Sequence, residues 1–207
     1  MKARDILDFL QKNLHFSSKS VDKLRLYVDL LLRYNKKLNL ISKTTEKTVW
    51  NRHVLDSAQI IQYIPNDAKN IVDFGSGAGL PGLILSIFDD KNKFHVKLYE
   101  KSTLKRKFLA SVKESLKLDF DILDNVYGNE IEADLIVARA FKKLDEIIRI
   151  SREIVKKPHK IIVLKGKNAQ IEINNVSLGK NYSYKLSSSI TDKYSKIILI
   201  DAKKNDS

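Results

Sequence analysis

Apolar residues recur at helical spacing through the first third of the chain. Between residues 2 and 63 they fall three or four positions apart, and Ile6, Leu10 and Leu14 give a clear example. This period is that of an amphipathic α-helix whose apolar stripe faces a core. Pro65 begins a turn that ends the pattern. Residues 1–66 are therefore predicted to form a helical extension that packs on the same domain as the rest of the chain.

The pattern changes after residue 67 to short β-rich runs separated by helical stretches. Strands are predicted over residues 70–74, 94–100, 120–123, 134–138 and 160–165, and helices over residues 80–88, 103–117 and 144–155. This alternation is typical of repeated βαβ units around a mostly parallel sheet. Two further strands, at 182–186 and 193–200, flank a Ser-rich turn and are predicted to close the sheet as an antiparallel hairpin. Residues 67–207 thus form a predicted α/β domain.

Composition adds a strong positive charge and an absence of cysteine. The 207 residues include 38 Lys and Arg against 25 Asp and Glu, a formal net charge of +13. Such a charge favours contact with a polyanion such as RNA, DNA or an anionic membrane surface. A biased base composition of the gene also produces many lysines and is an alternative explanation of the charge. Because the chain has no cysteine, disulfides, thiolate metal sites and cysteine nucleophiles are excluded.

The strongest chemical motif is a glycine-rich turn, residues 73–82, between the first predicted strand and the helix that follows it. Glycines there let the backbone turn sharply and approach a ligand closely. A dinucleotide-binding G-x-G-x-x-G pattern fails at Leu80, and a phosphate-binding P-loop fails because Leu83 replaces its lysine. Asp73 followed by G-x-G-x-G is similar instead to the first motif of Rossmann-like S-adenosylmethionine-dependent methyltransferases. Glu100 ends the next strand, where a carboxylate accepts hydrogen bonds from a ribose, a feature shared with NAD sites.

Six sequence segments narrow the resemblance from the Rossmann-like methyltransferases as a whole to one family among them. They are residues 35–40, 52–57, 73–82, 105–109, 139–141 and 164–166. In this order and spacing they resemble the glucose-inhibited division protein B family of bacterial 16S ribosomal RNA guanine-N7 methyltransferases. The resemblance implies a Rossmann-like class I methyltransferase fold, with a mostly parallel seven-stranded sheet, an antiparallel last strand and helices added at the N-terminus. It also implies transfer of the methyl group of S-adenosylmethionine to N7 of a guanine in the 530 loop of 16S rRNA, with the RNA or the small ribosomal subunit as partner.

The resemblance also assigns residues to the site. Cofactor contacts are implied for Asp73, Gly75, Gly77, Leu80, Glu100, Tyr127, Gly128 and Arg139. Contacts with RNA are implied for Asn39, Arg52, His53, Arg106, Arg139, Phe141 and Lys165. Arg139 either holds the cofactor carboxylate or donates to guanine O6, and Phe141 either stacks on a flipped guanine or packs in the core. Since open α/β sheets bind ligands at the carboxyl ends of their strands, Gly75, Glu100, Arg139 and Lys165 are expected at one edge.

Methyl transfer to this acceptor needs orientation more than acid–base catalysis. Guanine N7 attacks with a free lone pair and loses no proton, so no catalytic residue is nominated. Residues 138–141 differ from the Asn/Asp-Pro-Pro-aromatic motif of enzymes that methylate exocyclic amino groups. Ribose methylation stays open, because Lys165 could help to deprotonate a ribose hydroxyl.

Arg52 and Asp56 lie four residues apart on a predicted helix face, where a surface ion pair is the simplest interpretation. The histidines lack carboxylates at ligand spacing, so no metal site is expected.

Two alternative functions stay open, a methyltransferase of another RNA, a small molecule or a protein, and a noncatalytic RNA-binding module with a vestigial glycine turn. The N-terminus does not resemble a signal peptide, because Asp8 breaks its short apolar stretch. No apolar run approaches the roughly 20 residues that span a bilayer. A cytoplasmic monomer without membrane contact is expected.

Overall fold

The computed structural model describes residues 2–128, 130–176 and 178–203. A central seven-stranded sheet carries helices on both faces, and further helices precede it in the chain. The strands are β1 Asn70–Phe74, β2 His95–Tyr99, β3 Asp121–Leu123, β4 Leu135–Arg139, β5 His159–Lys165, β6 Tyr182–Ser188 and β7 Lys196–Ala202. The α-helices are α1 Ala3–Leu14, α2 Ser18–Leu38, α3 Asp56–Ala58, α4 Gly82–Phe88, α5 Thr103–Leu116, α6 Leu144–Ile154 and α7 Ala169–Asn174. None of the helices in these ranges is long and apolar enough to cross a membrane.

The strand order across the sheet is β3-β2-β1-β4-β5-β7-β6. Five strands pair in parallel, and β7 runs antiparallel to both β5 and β6. The strand order reverses between β1 and β4, and open α/β sheets bind ligands at such a point, outside the carboxyl ends of the strands. The mostly parallel sheet predicted from the alternating pattern, with its antiparallel closing strand, is therefore confirmed.

The helical extension is regular for its first two helices and irregular afterwards. Ser17 caps α2 by accepting a hydrogen bond from the Ser20 amide at 3.1 Å, and Asn39 ends the helix in the left-handed conformation. The irregular part consists of a 3₁₀ segment Lys43–Thr48, a π-helical segment Trp50–Leu55, α3, and a second 3₁₀ segment Gln59–Tyr63. These helix types differ in residues per turn, but segments this short contain too few apolar positions to tell the periods apart, so the sequence predicts a helix here without its irregular form.

The hydrophobic core continues from the extension into the sheet. Tyr27 and Leu31 of α2 are fully buried in the same cluster as Leu83 of α4 and Phe108 of α5. A second cluster, on the opposite face of the sheet, contains Ile147 and other residues of α6. Both faces of the central strands are thus covered, which explains why these strands are almost continuous apolar runs.

Three elements near the C-terminus and the glycine turn differ from the sequence prediction. The last strand begins at Lys196 instead of residue 193, because Asp192 accepts hydrogen bonds from the amides of Tyr194 and Ser195 and folds these residues into a turn. Helix α7 was not predicted, since its six residues are too few to give a helical period. Helix α4 begins at Gly82, because the preceding residues belong to the turn.

Candidate functional site

The glycine turn has the backbone conformation that its sequence predicts. Gly75, Gly77 and Gly79 have φ angles of +71°, +57° and +91°, in the left-handed region that favours glycine. A Cβ atom added at Gly75 would also collide with the ring of Phe141. The hydroxyl of Tyr27 in α2 supports the turn from below by donating to the Ala78 carbonyl at 2.9 Å.

Asp73 supports the glycine turn from inside the protein and does not line the site. Its side chain is fully buried, and its Oδ2 atom accepts a hydrogen bond from the Gly82 amide at 2.8 Å. Asp73 thereby occupies the first amide of α4 from behind the cavity lining, and its contact with the cofactor stays a prediction. Burial raises the pKa of Asp73 to about 7, although the hydrogen bonds from Gly82 and Ser76 act in the opposite direction.

Glu100 lies at the carboxyl end of β2 and faces the glycine turn. Its Oε2 atom accepts from the Gly77 amide at 2.9 Å, and its Oε1 atom accepts from the Ser102 amide at 2.8 Å. Each carboxylate oxygen has a second lone pair, which leaves capacity for ligand hydroxyls. Arg106 donates to the carbonyls of Glu100 and Lys101 at 2.8 Å, so it holds this loop and is not in the cavity lining.

The first cavity, about 380 Å³, lies between the glycine turn and the ends of β2 and β4. It contains six of the eight residues assigned to the cofactor, namely Gly75, Gly77, Leu80, Glu100, Tyr127 and Arg139. Asp73 and Gly128 are absent from its lining. Phe141 also lines this cavity and packs edge-on against Phe74 with ring centroids 6.0 Å apart. A cavity of this size, with a few polar groups on an apolar wall, is typical of a small-molecule site.

The second cavity, about 430 Å³, adjoins the first and shares Leu40, Arg139 and Ala140 with it. The helical extension, the end of β5 and the β6–β7 turn complete its walls. Of the residues assigned to RNA, it contains Arg52, His53, Arg139 and Lys165. Asn39, Arg106 and Phe141 are not in its lining. Phe141 lines the first cavity, Arg106 donates to two backbone carbonyls, and Asn39 ends α2 with an exposed side chain. The contacts of these three residues with RNA stay predictions.

Arg139 extends from the end of β4 to the helical extension at the boundary of the two cavities. Its Nη1 atom donates to the Arg52 carbonyl at 3.1 Å and pairs with Asp56 Oδ2 at 3.3 Å, while its Nη2 atom lies 3.1 Å from His53 Nδ1. Burial and the nearby Arg139 and Arg52 lower the pKa of His53 to about 4. The neutral ring accepts from Arg139 through Nδ1, and Nε2–H donates to Thr45 Oγ1 at 2.8 Å.

The ion pairs around the second cavity differ from the simplest sequence interpretation. Arg52 pairs with Asp192 of the β6–β7 turn at 2.9 Å, and Asp56 pairs with Arg139, so the expected Arg52–Asp56 surface pair is wrong. Lys165 pairs with Glu172 at 2.8 Å and donates to the Lys142 carbonyl at 2.7 Å. The Lys165 ammonium is thus held as a paired cation and not placed as a base.

Three features of the site were given no role from the sequence. Leu40 lines both cavities because Asn35, buried in α2, accepts a hydrogen bond from the Ile41 amide at 2.8 Å and fixes the loop. Tyr27 occupies one of several apolar positions of α2, and the helical spacing of these positions does not reveal that its hydroxyl donates to the Ala78 carbonyl. Ile190 of the β6–β7 turn bonds to Gln59, more than 130 residues away in sequence, and local sequence patterns do not predict contacts over such a separation.

Known sequences match the chain over most of its length. A family model described as rRNA small subunit methyltransferase G matches residues 20–199. The chain belongs to this family. The ribosomal RNA small subunit methyltransferase G of Orientia tsutsugamushi (strain Ikeda) is 36% identical over 198 residues, covering 95% of this chain and 98% of that protein. The protein of the same name from Pelagibacter ubique (strain HTCC1062) is 34% identical over 197 residues, covering 92% of each chain.

Two solved structures resemble the fold of this member of the methyltransferase G family. An O-methyltransferase from Bacillus cereus aligns with a TM-score of 0.61 and 13% identity, over 96% of this chain and 97% of that chain. A methyltransferase from Pyrococcus furiosus aligns with a TM-score of 0.60 and 10% identity, over 73% of this chain and 83% of that chain. These likenesses confirm the class I methyltransferase fold. The family predicted from the six sequence segments is confirmed as well.

Proposed function

We propose that this protein transfers the methyl group of S-adenosylmethionine to N7 of a guanine in the 530 loop of 16S rRNA. The observation that carries the proposal is the pair of adjoining cavities at the carboxyl edge of the sheet, which share Leu40, Arg139 and Ala140. One cavity takes the methyl donor and the other takes the acceptor base, so the two reactants meet at Arg139. Membership of the methyltransferase G family and the names of its relatives support the same reaction.

The first cavity fits S-adenosylmethionine. The open backbone at Gly77 lets a ligand approach, and Glu100 has lone pairs for the ribose hydroxyls. Tyr127 and Val126 form the far wall, where the adenine ring would lie. When bound, the sulfonium supplies an electrophilic methyl group. Gly75 and Leu80 would then hold the methionine part, and Phe141 would exclude water from it.

The second cavity suits a guanine presented through its N7 and O6 edge. Arg139 donates hydrogen bonds only, so it suits the acceptor O6 and leaves the N7 lone pair free to attack. Residues of the cavity orient the base so that the N7 lone pair faces the first cavity. The two nitrogens of His53 are occupied by Arg139 and Thr45, so His53 is not a base, and N7 attack requires none.

The substrate class follows from charge and from the family. A net charge of +13 favours a polyanionic partner, and N7 of an A-form duplex lies in a deep, narrow groove that side chains do not enter. The target guanine would be in a loop or be pulled out of its stack. We propose the small subunit or its rRNA as substrate and a cytoplasmic monomer as the active form.

Methyl transfer to small ribosomal subunits from cells that lack the modification tests this function. Labelled S-adenosylmethionine is added, and the RNA is then cleaved by chemistry specific for N7-methylguanine. We expect one labelled site in the 530 loop. Label in another RNA or in protein would instead identify a different acceptor. Cofactor binding without any transfer would contradict the proposal.

A further inference from the structure

The turn between β6 and β7, residues 189–195, forms a wall of the second cavity although no sequence motif marks it. Ser189 and Ser195 line the cavity, and Lys196 follows them at the start of β7. The turn therefore lies where the nucleotides next to the acceptor base would enter. This placement depends on the proposed function, in which the second cavity holds the guanine.

Three polar side chains of this turn, Ser189, Thr191 and Asp192, are directed toward the helical extension and are already bonded. Four hydrogen bonds and ion pairs of the turn, from 2.8 to 3.1 Å, reach three residues of the extension, and Asn51 also donates to the Thr191 carbonyl at 3.4 Å. The pairs are Thr191 with Asp56, Asp192 with Arg52, and Ser189 and Ile190 with Gln59. A turn held at several points keeps a fixed shape before any substrate arrives, which reduces the entropic cost of binding.

The apolar side chains of the same turn face solvent. Tyr194 is 64% exposed and Ile190 is 48% exposed. The Lys193 ammonium lies 4.8 Å from the centre of the Tyr194 ring. Surface turns ordinarily expose their polar residues, whereas three polar residues of this turn are bonded to the extension and its two large apolar side chains are exposed. An exposed aromatic ring beside a cation is the combination that binds unpaired bases and their phosphates.

We propose that Tyr194 is a stacking platform for an unpaired base of the RNA next to the target guanine, with Lys193 close to the adjoining phosphate. RNA is favoured over a protein partner because the cations of the rim, Lys193 and Lys196, complement phosphates, and the chain as a whole carries +13. Single-stranded RNA is recognised through bases stacked on aromatic side chains. Such a contact would anchor the loop while its guanine occupies the second cavity.

Substitutions of two exposed tyrosines on the same hairpin test this proposal. Tyr194→Ala removes the ring, Tyr194→Trp keeps a stacking surface, and Tyr184→Ala is the matched control, since Tyr184 is 48% exposed on β6, away from the turn. We expect Tyr194→Ala to raise the KM for small subunits about tenfold. Tyr194→Trp and Tyr184→Ala should keep it within about twofold. Cofactor affinity, measured by calorimetry, should be the same in all variants.

A fluorescent RNA fragment of the 530 loop, with 2-aminopurine beside the target guanine, gives a second readout. We expect the wild-type protein and Tyr194→Trp to change its fluorescence and Tyr194→Ala not to. An unchanged KM with identical fluorescence in all variants would overturn the proposal, as would a wild-type protein that leaves the fragment unbound. A raised KM for subunits with unchanged affinity for the fragment would indicate a protein contact and also overturn it. Failure of the proposed function appears separately, as no methyl transfer by the wild type.

Discussion

At the residue scale, Arg139 connects the two cavities and depends on His53 for its position. The guanidinium has three partners in the helical extension, and the neutral imidazole is the one that accepts from Nη2. A protonated ring would carry two N–H donors and would repel the guanidinium. The low pKa of His53 thus keeps Arg139 in place at physiological pH.

Replacement of His53 by Gln should remove a pH dependence of stability. The unfolded imidazole titrates near its ordinary pKa of 6.5, while the folded one titrates at about 4. Between these values the unfolded chain binds a proton and the folded chain does not, so the free energy of unfolding falls as pH decreases. We expect the wild type to lose about 2 kcal/mol more than His53→Gln between pH 7 and 4.5, after allowance for solvent screening of a partly exposed ring.

Denaturant unfolding of both proteins across this pH range provides the measurement. The raised pKa of Asp73 has the opposite sign, because its folded form keeps a proton that the unfolded form has lost, and stability falls as pH rises toward about 7. Both proteins contain Asp73, so its contribution cancels in the difference. Parallel pH profiles would contradict the assigned role of His53.

Replacement of Gly75 by Ala should weaken cofactor binding. The new Cβ would meet the Phe141 ring and would occupy a φ of +71°, which costs about 1–2 kcal/mol for a residue other than glycine. Both effects distort the wall of the first cavity. We expect the dissociation constant for S-adenosylmethionine to rise at least about tenfold, as measured by calorimetry. Gly179→Ala is the control, because a Cβ there meets none of the described residues within 4 Å. Equal affinities would contradict the placement of the cofactor.

At the scale of elements, the regular strands and helices follow from the sequence and the irregular ones do not. β1 and β4 are short, mostly apolar runs, and Gly75 follows β1 while Arg139 ends β4, so their positions and the site at their ends are predictable. The π-helical segment Trp50–Leu55 and the β6–β7 turn contact each other over a sequence separation of 140 residues, as Arg52 does with Asp192. Local patterns contain no information on such contacts.

The same limit applies to the side-chain orientation of two predicted site residues. A motif shows that Asp73 and Arg106 belong near the turn, but it does not show whether their polar atoms face the ligand or the backbone. Asp73 bonds to Gly82 and Arg106 to the loop after β2, so both act by positioning other residues.

Removal of the Tyr27 hydroxyl should destabilise the glycine turn. Tyr27→Phe leaves the Ala78 carbonyl without its donor in a buried place, which costs about 1–2 kcal/mol of unfolding free energy. The affinity for S-adenosylmethionine should fall with it, because the turn forms the first cavity. Tyr34→Phe is the matched control, since that hydroxyl contacts Ser111 on α5 at 3.1 Å. A loss of affinity in the control equal to that in Tyr27→Phe would contradict a specific role for Tyr27.

At the scale of the whole molecule, the helical extension and the sheet share one hydrophobic cluster and both cavities. Leu10 and Leu24 of the extension belong to the same cluster as Leu98 and Val137 of the sheet. We propose that residues 1–66 and 67–207 fold as one unit, with the second cavity closed only when both are present.

Thermal unfolding should therefore occur in one cooperative transition. Calorimetry of the full chain is expected to give equal calorimetric and van't Hoff enthalpies. S-adenosylmethionine should shift the whole transition to higher temperature, because it binds only the native state. Two transitions, with only one of them shifted by the cofactor, would show instead that the extension unfolds independently of the sheet.

Transfer to an RNA that lacks the proposed acceptor atom tests the central claim most directly. In subunits reconstituted with 7-deazaguanine at the target position, a C–H group replaces N7 while O6 and the Watson–Crick edge remain. With N7 as the acceptor and no catalytic base, labelled methyl transfer should occur in subunits with guanine and be absent with 7-deazaguanine, although the two bind with similar affinity. Equal methylation of both would place the acceptor at another atom and contradict the proposed function.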